Sequence, residues 1–403
     1  MENNIWKECK LGDCSNIITG FPFKSNEYEF KGELRVVRGE NVTIGSLRWD
    51  SEKYWNKETE LLQRYFLNED DIVIGMDGSR VGQNRSLIKT YELPLILAQR
   101  VARIRAKQDV CQLYLWYNIY SNNFKEYIEA IHTGTSIPHI SLKQIQDFEI
   151  QLPPLPEQKA IASVLSSLDD KIDLLHQQNQ TLEALAETLF RQWFIEEAKE
   201  DWEEVKLGDL VDVFNGVSYK SDDLNPSTTA MVTLKSFERN GGFRMDGFKE
   251  YTGKYKETHL VEEGDLVVAH TDITQDAALI GNPVLVKSDP NYNKLIISMD
   301  LVKVVSKNSN FTNEFLYLLM KTREFKEHAL GYSNGSTVLH LSKKAIPEFE
   351  LKLPPNELVN SFTKRVSPLI KKQFVNQNQI QTLKQLRDTL LPKLMSGEVR
   401  VKL

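Results

Sequence analysis

Cysteine is scarce in this sequence. Only three occur in 403 residues, Cys9, Cys14 and Cys111. Their odd number and the lack of a CxxC spacing argue against a disulfide framework and against structural zinc. No run approaches the about 18 apolar residues that a membrane-spanning helix needs. No positively charged, apolar leader opens the chain, so a soluble cytoplasmic protein without membrane contact is expected. Catalytic signatures are missing as well: there is no GxxxxGK[ST] loop, GxGxxG, HExxH or GxSxG. The seven histidines do not fall at metal-ligand spacings. Two fragments echo catalytic motifs. Asp289-Pro290-Asn291-Tyr292 has the outline of the Asp-Pro-Pro-Tyr of amino-methyltransferases, but lacks the second proline and a preceding glycine-rich loop. Glu350-Leu351-Lys352 fits the Glu-x-Lys of nucleases without a suitably placed aspartate. The first reads as a Pro-Asn turn and the second as a chance match. Neither a catalytic residue nor a metal or cofactor site is expected in this chain.

What is present is a long stretch free of helix breakers. After Pro153-Pro154-Leu155-Pro156-Glu157-Gln158 the chain runs to about Glu196 without proline or glycine. Ile161, Leu165, Leu168, Ile172, Leu175, Asn179, Leu182, Ala186, Leu189 and Trp193 recur four and three residues apart. That is a heptad seam with one polar interruption, Asn179. At about 1.5 Å per residue it predicts a rod of roughly 60 Å that needs a partner helix. Residues 357–396 supply one, with Phe362, Val366, Leu369, Ile380, Leu383, Leu386, Leu390 and Leu394 on the apolar side and kinks expected at Pro368 and Pro392. Residues 151–200 hold 4 Lys+Arg and 9 Asp+Glu, net −5; residues 353–403 hold 9 and 3, net +6. Opposite charge favours pairing of the two helices with each other.

The chain also repeats itself. Trp6–Asp13 (WKECKLGD) returns as Trp202–Asp209 (WEEVKLGD), and Glu69–Ile74 returns as Glu263–Val268. Phe124-Lys125-Glu126 returns as Phe325-Lys326-Glu327, and Gly134–Ser141 (GTSIPHIS) returns as Gly335–Ser342 (GSTVLHLS). Both copies then reach a Pro-Pro pair and a long helix. Residues 20–65 and 214–260 resist alignment. The expected fold is α+β: two mixed α/β domains in tandem, each followed by a long helix. The two helices should pair as an antiparallel coiled coil with pseudo-twofold symmetry. The expected divisions are 1–152, 153–200, 201–353 and 354–403. Strands are expected at Leu34–Val37, Ile72–Gly75, Val101–Arg105, Phe148–Leu152 and Phe349–Leu353, and helices at Leu113–Ile131 and Thr312–Ala329.

The polar chemistry looks like recognition. Gly78-Ser79-Arg80-Val81-Gly82-Gln83-Asn84-Arg85 puts two arginines and two amides on a glycine-punctuated loop after a strand. Arginine can read guanine bidentately, and asparagine or glutamine can read adenine. Arg100, Arg103 and Arg105 follow. In the second copy the corresponding loop, 270–276, offers Thr271, Thr274 and Gln275, and Lys254 and Lys256 lie in a basic, aromatic segment suited to phosphate. For His139 and His340, at equivalent repeat positions, a structural hydrogen bond is favoured over a ligand contact. A net charge of −6 does not advertise nucleic-acid binding.

The repeated GTSIPHIS motif, the segment LPPLPEQKAIASVLSSLDDKIDLLHQQNQTLEALAETLFRQWF and the recurrence of WEEVKLGD together resemble the specificity subunit of type I restriction-modification systems over essentially the whole chain. The resemblance implies two target-recognition domains, each reading half of a bipartite double-stranded DNA sequence, and no active site in this subunit. It implies that the helices dock two methyltransferase subunits, which carry S-adenosylmethionine and modify adenine, and that two restriction/translocase subunits can join. Leu165, Leu168, Ile172, Leu182, Leu189, Phe190, Trp193, Phe194, Leu383, Leu390 and Leu394 are the expected partner-binding residues. Two other readings stay open: a coiled-coil adaptor without base readout, and a methyltransferase fused to its recognition domains.

Overall fold

The computed structural model describes residues 6–131, 138–238, 242–272, 277–335 and 338–402. It divides into two compact units, Met1–Leu174 with Ile380–Leu403, and Leu175–Gln379. Each unit owns one part of each long helix.

In the first unit a four-stranded antiparallel sheet carries, in spatial order, Ser15–Thr19, Val101–Ala106, Ile72–Gly75 and Arg85–Leu87. Ile72, Val73 and Ile74 are all buried because the sheet is covered on both faces. Ile72, Ile74 and Ile104 pack with the helical layer around Tyr114, Leu115 and Phe124. Val73 and Val101 point the other way, into Val37, Leu95 and Leu97. These belong to a second sheet, in which Arg35–Val37 runs parallel to Leu95–Leu97 and Phe66–Leu67 is antiparallel. A two-stranded ladder of Lys7–Lys10 with Glu149–Leu152 brings the ends of the globular part together.

The second unit repeats this plan. Its four-stranded sheet is Val211–Asn215, Leu301–Ser306, Leu266–Ala269 and Pro283–Leu285. Thr229–Val232 runs parallel to Lys294–Ile297, flanked by Lys249–Glu250 and Leu260–Val261. Glu204–Lys206 pairs with Glu350–Lys352. A further small sheet joins Thr271–Asp272, Leu339–Leu341 and Ser333–Asn334. The stretches that resist alignment therefore carry corresponding strands: burial pattern, not residue identity, preserves the topology.

Each expected single helix is two. Gln112–Tyr120 and Asn122–Ile131 break at Ser121, whose hydroxyl donates to the Asn118 carbonyl at 2.6 Å. Asn313–Met320 and Arg323–Gly331 break at Thr322, whose hydroxyl accepts from the Phe325 amide and caps the second helix.

The central helix spans Leu155–Arg191 and ends in a π-helical turn, Gln192–Glu196. Its first turn is bolted to the first unit by two buried side chains. Gln158 accepts from the Cys111 amide at 2.9 Å and donates to the Pro153 carbonyl at 2.7 Å. Glu157 accepts from Trp6 Nε1 at 3.2 Å and from Arg400 Nη2 at 2.7 Å. The C-terminal helix, Asn356–Met395, is one helix through both Pro368 and Pro392, where kinks were expected. Buried Val366 and Ile370 on either side of Pro368, and Leu391 and Leu394 beside Pro392, hold it by packing where a backbone bond is lost.

Within each unit the segments of the two helices run antiparallel. In the first, Ile161, Ala162 and Leu165 pack with Leu391, Leu394 and Met395, and Arg387 donates to Asp169 at 2.8 Å. In the second, Ala186 and Phe190 pack with Val359, Phe362 and Val366, and Gln373 donates to Glu183 at 2.8 Å. The polar interruption Asn179 finds its counterpart there: the buried Asn376 amide donates to Asn179 Oδ1 and to Gln178 Oε1, both at 2.8 Å. Among the described residues no helix is long and apolar enough to cross a membrane.

Candidate nucleic-acid interface

The loop after strand Ile72–Gly75 is shaped by its glycines. Gly78 has φ +106° and Gly82 φ +77°, and a Cβ at Gly82 would collide with Ile128. This folding separates the loop's polar residues into two kinds. Arg80 is exposed, with no partner among the described residues, and the Asn84 side chain is likewise uncommitted. Gln83 donates to Glu129 at 3.1 Å.

Arg85 corrects the sequence expectation. It is 5% exposed, and its guanidinium donates to the carbonyls of Gly82 at 2.6 Å and Tyr120 at 2.7 Å. Burial lowers its pKa to about 10. It ties sheet to helix within the first unit. Arg103 and Arg105 are likewise committed, Arg103 to the Arg64 carbonyl at 2.9 Å and Arg105 to Asp71 at 2.6 and 2.5 Å.

Arg80, Asn84 and Arg100 border one open groove of the first unit, together with Arg38, Arg48 and Gln99. Those last three were missed from sequence. Arg38 and Arg48 sit in the divergent stretch, where neither a motif nor a period marks them; divergence itself was the only available signal. Both are oriented by acids, Arg38 by Glu40 at 2.5 Å and Arg48 by Asp50 at 3.4 Å. Arg100 donates to Asp77 Oδ2 at 2.9 Å, and Asp77 Oδ1 also meets His139 Nδ1. His139 is thus hydrogen-bonded, as its repeat position suggested, yet remains about half exposed.

In the second unit Lys254 and Lys256 are exposed. Thr271 is a second correction: it is 5% exposed and its hydroxyl donates to Asp300 at 3.0 Å, so it is not a free donor for a base. Thr274 and Gln275 lie outside the described residues, as do residues 134–137 and 336–337 of the repeated motif. The two catalytic echoes are structural. Asp289 Oδ1 accepts from the Asn291 amide at 2.9 Å in a turn, and Glu350–Lys352 is the ladder strand already described. Among the described residues no group of three or more His, Cys, Asp or Glu could hold a metal.

Of the expected partner-binding residues, Leu165, Ile172, Phe190 and Leu394 are buried by this chain itself. Phe190 packs on Phe315 and Phe362 at centroid distances of 5.3 and 5.7 Å. Their side chains are taken up in packing within this chain. Leu168, Leu182, Leu189, Trp193, Phe194, Leu383 and Leu390 are half-buried. The exposed apolar side chains of these helices are instead Leu174, Leu185, Ile195, Val375 and Leu386.

The family "Type I restriction modification DNA specificity domain" matches residues 3–184 and again residues 199–385. The chain is 28% identical over 330 residues to the MjaIX specificity subunit of Methanocaldococcus jannaschii, covering 77% of this chain and 74% of that one. It is 23% identical over 467 residues to the HindI specificity subunit of Haemophilus influenzae, covering 98% and 99%. Its fold is similar to the crystal structure of the type I restriction-modification S subunit from M. genitalium, with TM-score 0.59 and 18% identity over 98% of this chain and 97% of that one. With both repeats matched, the chain belongs to the family of type I restriction-modification specificity subunits.

Proposed function

We propose that each globular half of this chain reads one half of a bipartite duplex DNA target, and that the chain has no active site of its own. Two methyltransferase subunits carrying S-adenosylmethionine supply the chemistry on adenine, docked on the long helices, and two restriction/translocase subunits can join, in the cytoplasm. The observation that carries this is one sheet plan built twice with different polar residues on the same backbone positions. A scaffold kept while its contact chemistry varies is what two readers of different sequences need. Arg48, Arg80 and Arg100 around one groove supply donors suited to guanine edges and phosphates, beside Arg38, whose guanidinium is held by Glu40 and the Ser51 carbonyl. Arg80, Gln83, Asn84, Arg100, Lys254, Lys256, Thr274 and Gln275 remain the contact candidates. The acidic net charge fits an assembly in which partner subunits provide much of the phosphate-binding surface.

The test is to assemble the chain with a separate methyltransferase subunit and map methylated adenines. The divisions 1–152, 153–200, 201–353 and 354–403 make residues 210–335 an exchangeable module. Replacing them with the equivalent region of a relative changes one half of the recognised sequence and leaves the other. Methyl transfer by the purified chain alone would revive the fused-enzyme reading, and an assembly that methylates without sequence preference would favour the adaptor.

A further inference from the structure

Each unit holds one tight turn in the same way. Gly20 in the first unit packs so closely on the Ala98 carbonyl that a Cβ there would collide with it, and Gly216 does the same on the Ser298 carbonyl. The Phe21 carbonyl accepts from the Gln99 amide at 2.9 Å, and the Val217 carbonyl accepts from the Met299 amide at 2.8 Å. The amide of Met76 donates to the Arg100 carbonyl at 2.9 Å, and that of His270 to the Asp300 carbonyl at 2.8 Å. Gln99-Arg100 and Met299-Asp300 therefore stand at corresponding places on the same scaffold, although only Arg100 is in the left-handed region.

Beside each turn stands the same neighbour pair. Asp77 bridges to His139, and Thr271 pairs with His340. The polarity across the pair is reversed. In the first unit the acid is on the strand side, Asp77, and the turn presents Arg100. In the second the strand side is neutral, Thr271, and the turn presents the acid, Asp300.

Arg100 is not explained as a structural ion pair. Its side chain is 71% exposed, and its backbone sits at φ +65°, the left-handed region that disfavours a bulky residue. A surface ion pair contributes less than that conformation costs. The turn also borders the arginine groove, which gives the side chain a use. Asp300 is informative for the opposite reason. A carboxylate facing a polyanion is repelled unless it meets amino donors, and in the major groove only cytosine N4 and adenine N6 offer them.

Resting on the reading above of the chain as a DNA-recognition subunit, we propose that these two turns are corresponding base-reading positions of opposite polarity. Arg100 takes guanine in one half-site, and Asp300 takes the exocyclic amino group of cytosine or adenine in the other. Asp77 and Thr271 position them.

The experiment maps methylated sites made by the full chain assembled with its methyltransferase, for the wild type, Arg100→Ala and Asp300→Ala. Each variant is expected to relax one base position in a different half-site, with discrimination there falling about 5- to 150-fold. The position relaxed by Arg100→Ala should be guanine in the wild-type map, and that relaxed by Asp300→Ala cytosine or adenine on the contacted strand. Unchanged maps, an even loss at all sites, or relaxation of the same half-site by both variants would overturn the proposal. Where an alanine variant does not fold, Arg100→Gln and Asp300→Asn decide, since the amide oxygen introduced by Asp300→Asn still accepts from Thr271; unchanged maps from them overturn it equally. A wild-type assembly with no bipartite map would instead sink the DNA-recognition reading itself.

Discussion

The Tyr317 hydroxyl donates to the Glu183 carboxylate at 2.7 Å. In the first unit the Tyr117 hydroxyl donates to Asp169 at 2.8 Å. Both acids lie on the central helix, and each also receives a donor from the C-terminal helix: Gln373 to Glu183 and Arg387 to Asp169. In each unit one carboxylate therefore ties three elements together. Burial raises both phenols well above their ordinary range, so they stay donors.

Tyr317→Phe removes one of these ties without opening a cavity. The loss of a hydrogen bond to a charged group is expected to cost about 1.5–3 kcal/mol. Urea unfolding of the variant checks it. An unchanged midpoint would mean that Lys321 and Gln373 alone satisfy the carboxylate.

The same cluster sets a pH dependence. Burial alone would raise the Glu183 carboxyl, but Lys321, Tyr317 and Gln373 outweigh it and hold the pKa below its ordinary 4.5. Burial alone would lower Lys321, but Glu183 and Glu187 hold it above 10.5. The carboxylate's contribution is thus fully present above 4.5 and fades as pH falls through its depressed value. The ammonium's is present below 10.5 and fades as pH rises through its raised value. The stability difference between the wild type and Glu183→Gln should be constant near neutrality and shrink below about pH 4.5. A difference that stays constant down to about pH 3 would assign the cluster's worth to packing.

Asn179 and Asn376 give a third expectation. Asn376 is fully buried and its Oδ1 has no partner among the described residues, so the pair is a costly way to fill the seam. Such polar layers fix register at the expense of stability. Asn179→Leu alone leaves the Asn376 amide short of an acceptor and should destabilise by about 1–3 kcal/mol. Asn179→Leu with Asn376→Leu should exceed the wild type in stability while broadening the choice of helix partners, seen as self-association in sedimentation. A double variant as weak as the single would show that the layer stabilises.

How much of this was visible in the sequence depends on what each residue contacts. The heptad seam and its interruption at Asn179 are local and periodic, so they could be read. The identity of Asn376 as the partner could not, because it follows from register between segments far apart in the chain. The repeat was readable where it carries packing, in WKECKLGD and WEEVKLGD. The equivalence of Gly20 with Gly216 was not, since the flanking residues diverge and only a close backbone approach links them. Ser121 was passed over as a helix break because apolar spacing continues across it.

Arg80 and Arg85 make the sharpest contrast, because on one short loop they have opposite fates. Arg85 lies under the loop, over the Tyr120 and Phe124 rings at 5.6 and 5.8 Å, with its two Nη groups on backbone carbonyls. Arg85→Ala leaves those carbonyls unpaired beside a cavity, and a loss of about 3 kcal/mol is expected. Any fall in recognition should then follow the fraction unfolded, with the surviving molecules keeping the wild-type target. Arg80→Ala removes an exposed side chain with no partner among the described residues, so the unfolding midpoint should not move. Its effect should instead be on DNA. A base contact would relax one position of one half-site, and a phosphate contact would weaken all targets evenly and reduce the salt dependence by about one unit. Thermal unfolding and binding to the mapped target, measured on both variants, separate these outcomes. An Arg85→Ala chain as stable as the wild type but altered in its target would return Arg85 to the interface, against the geometry that buries it.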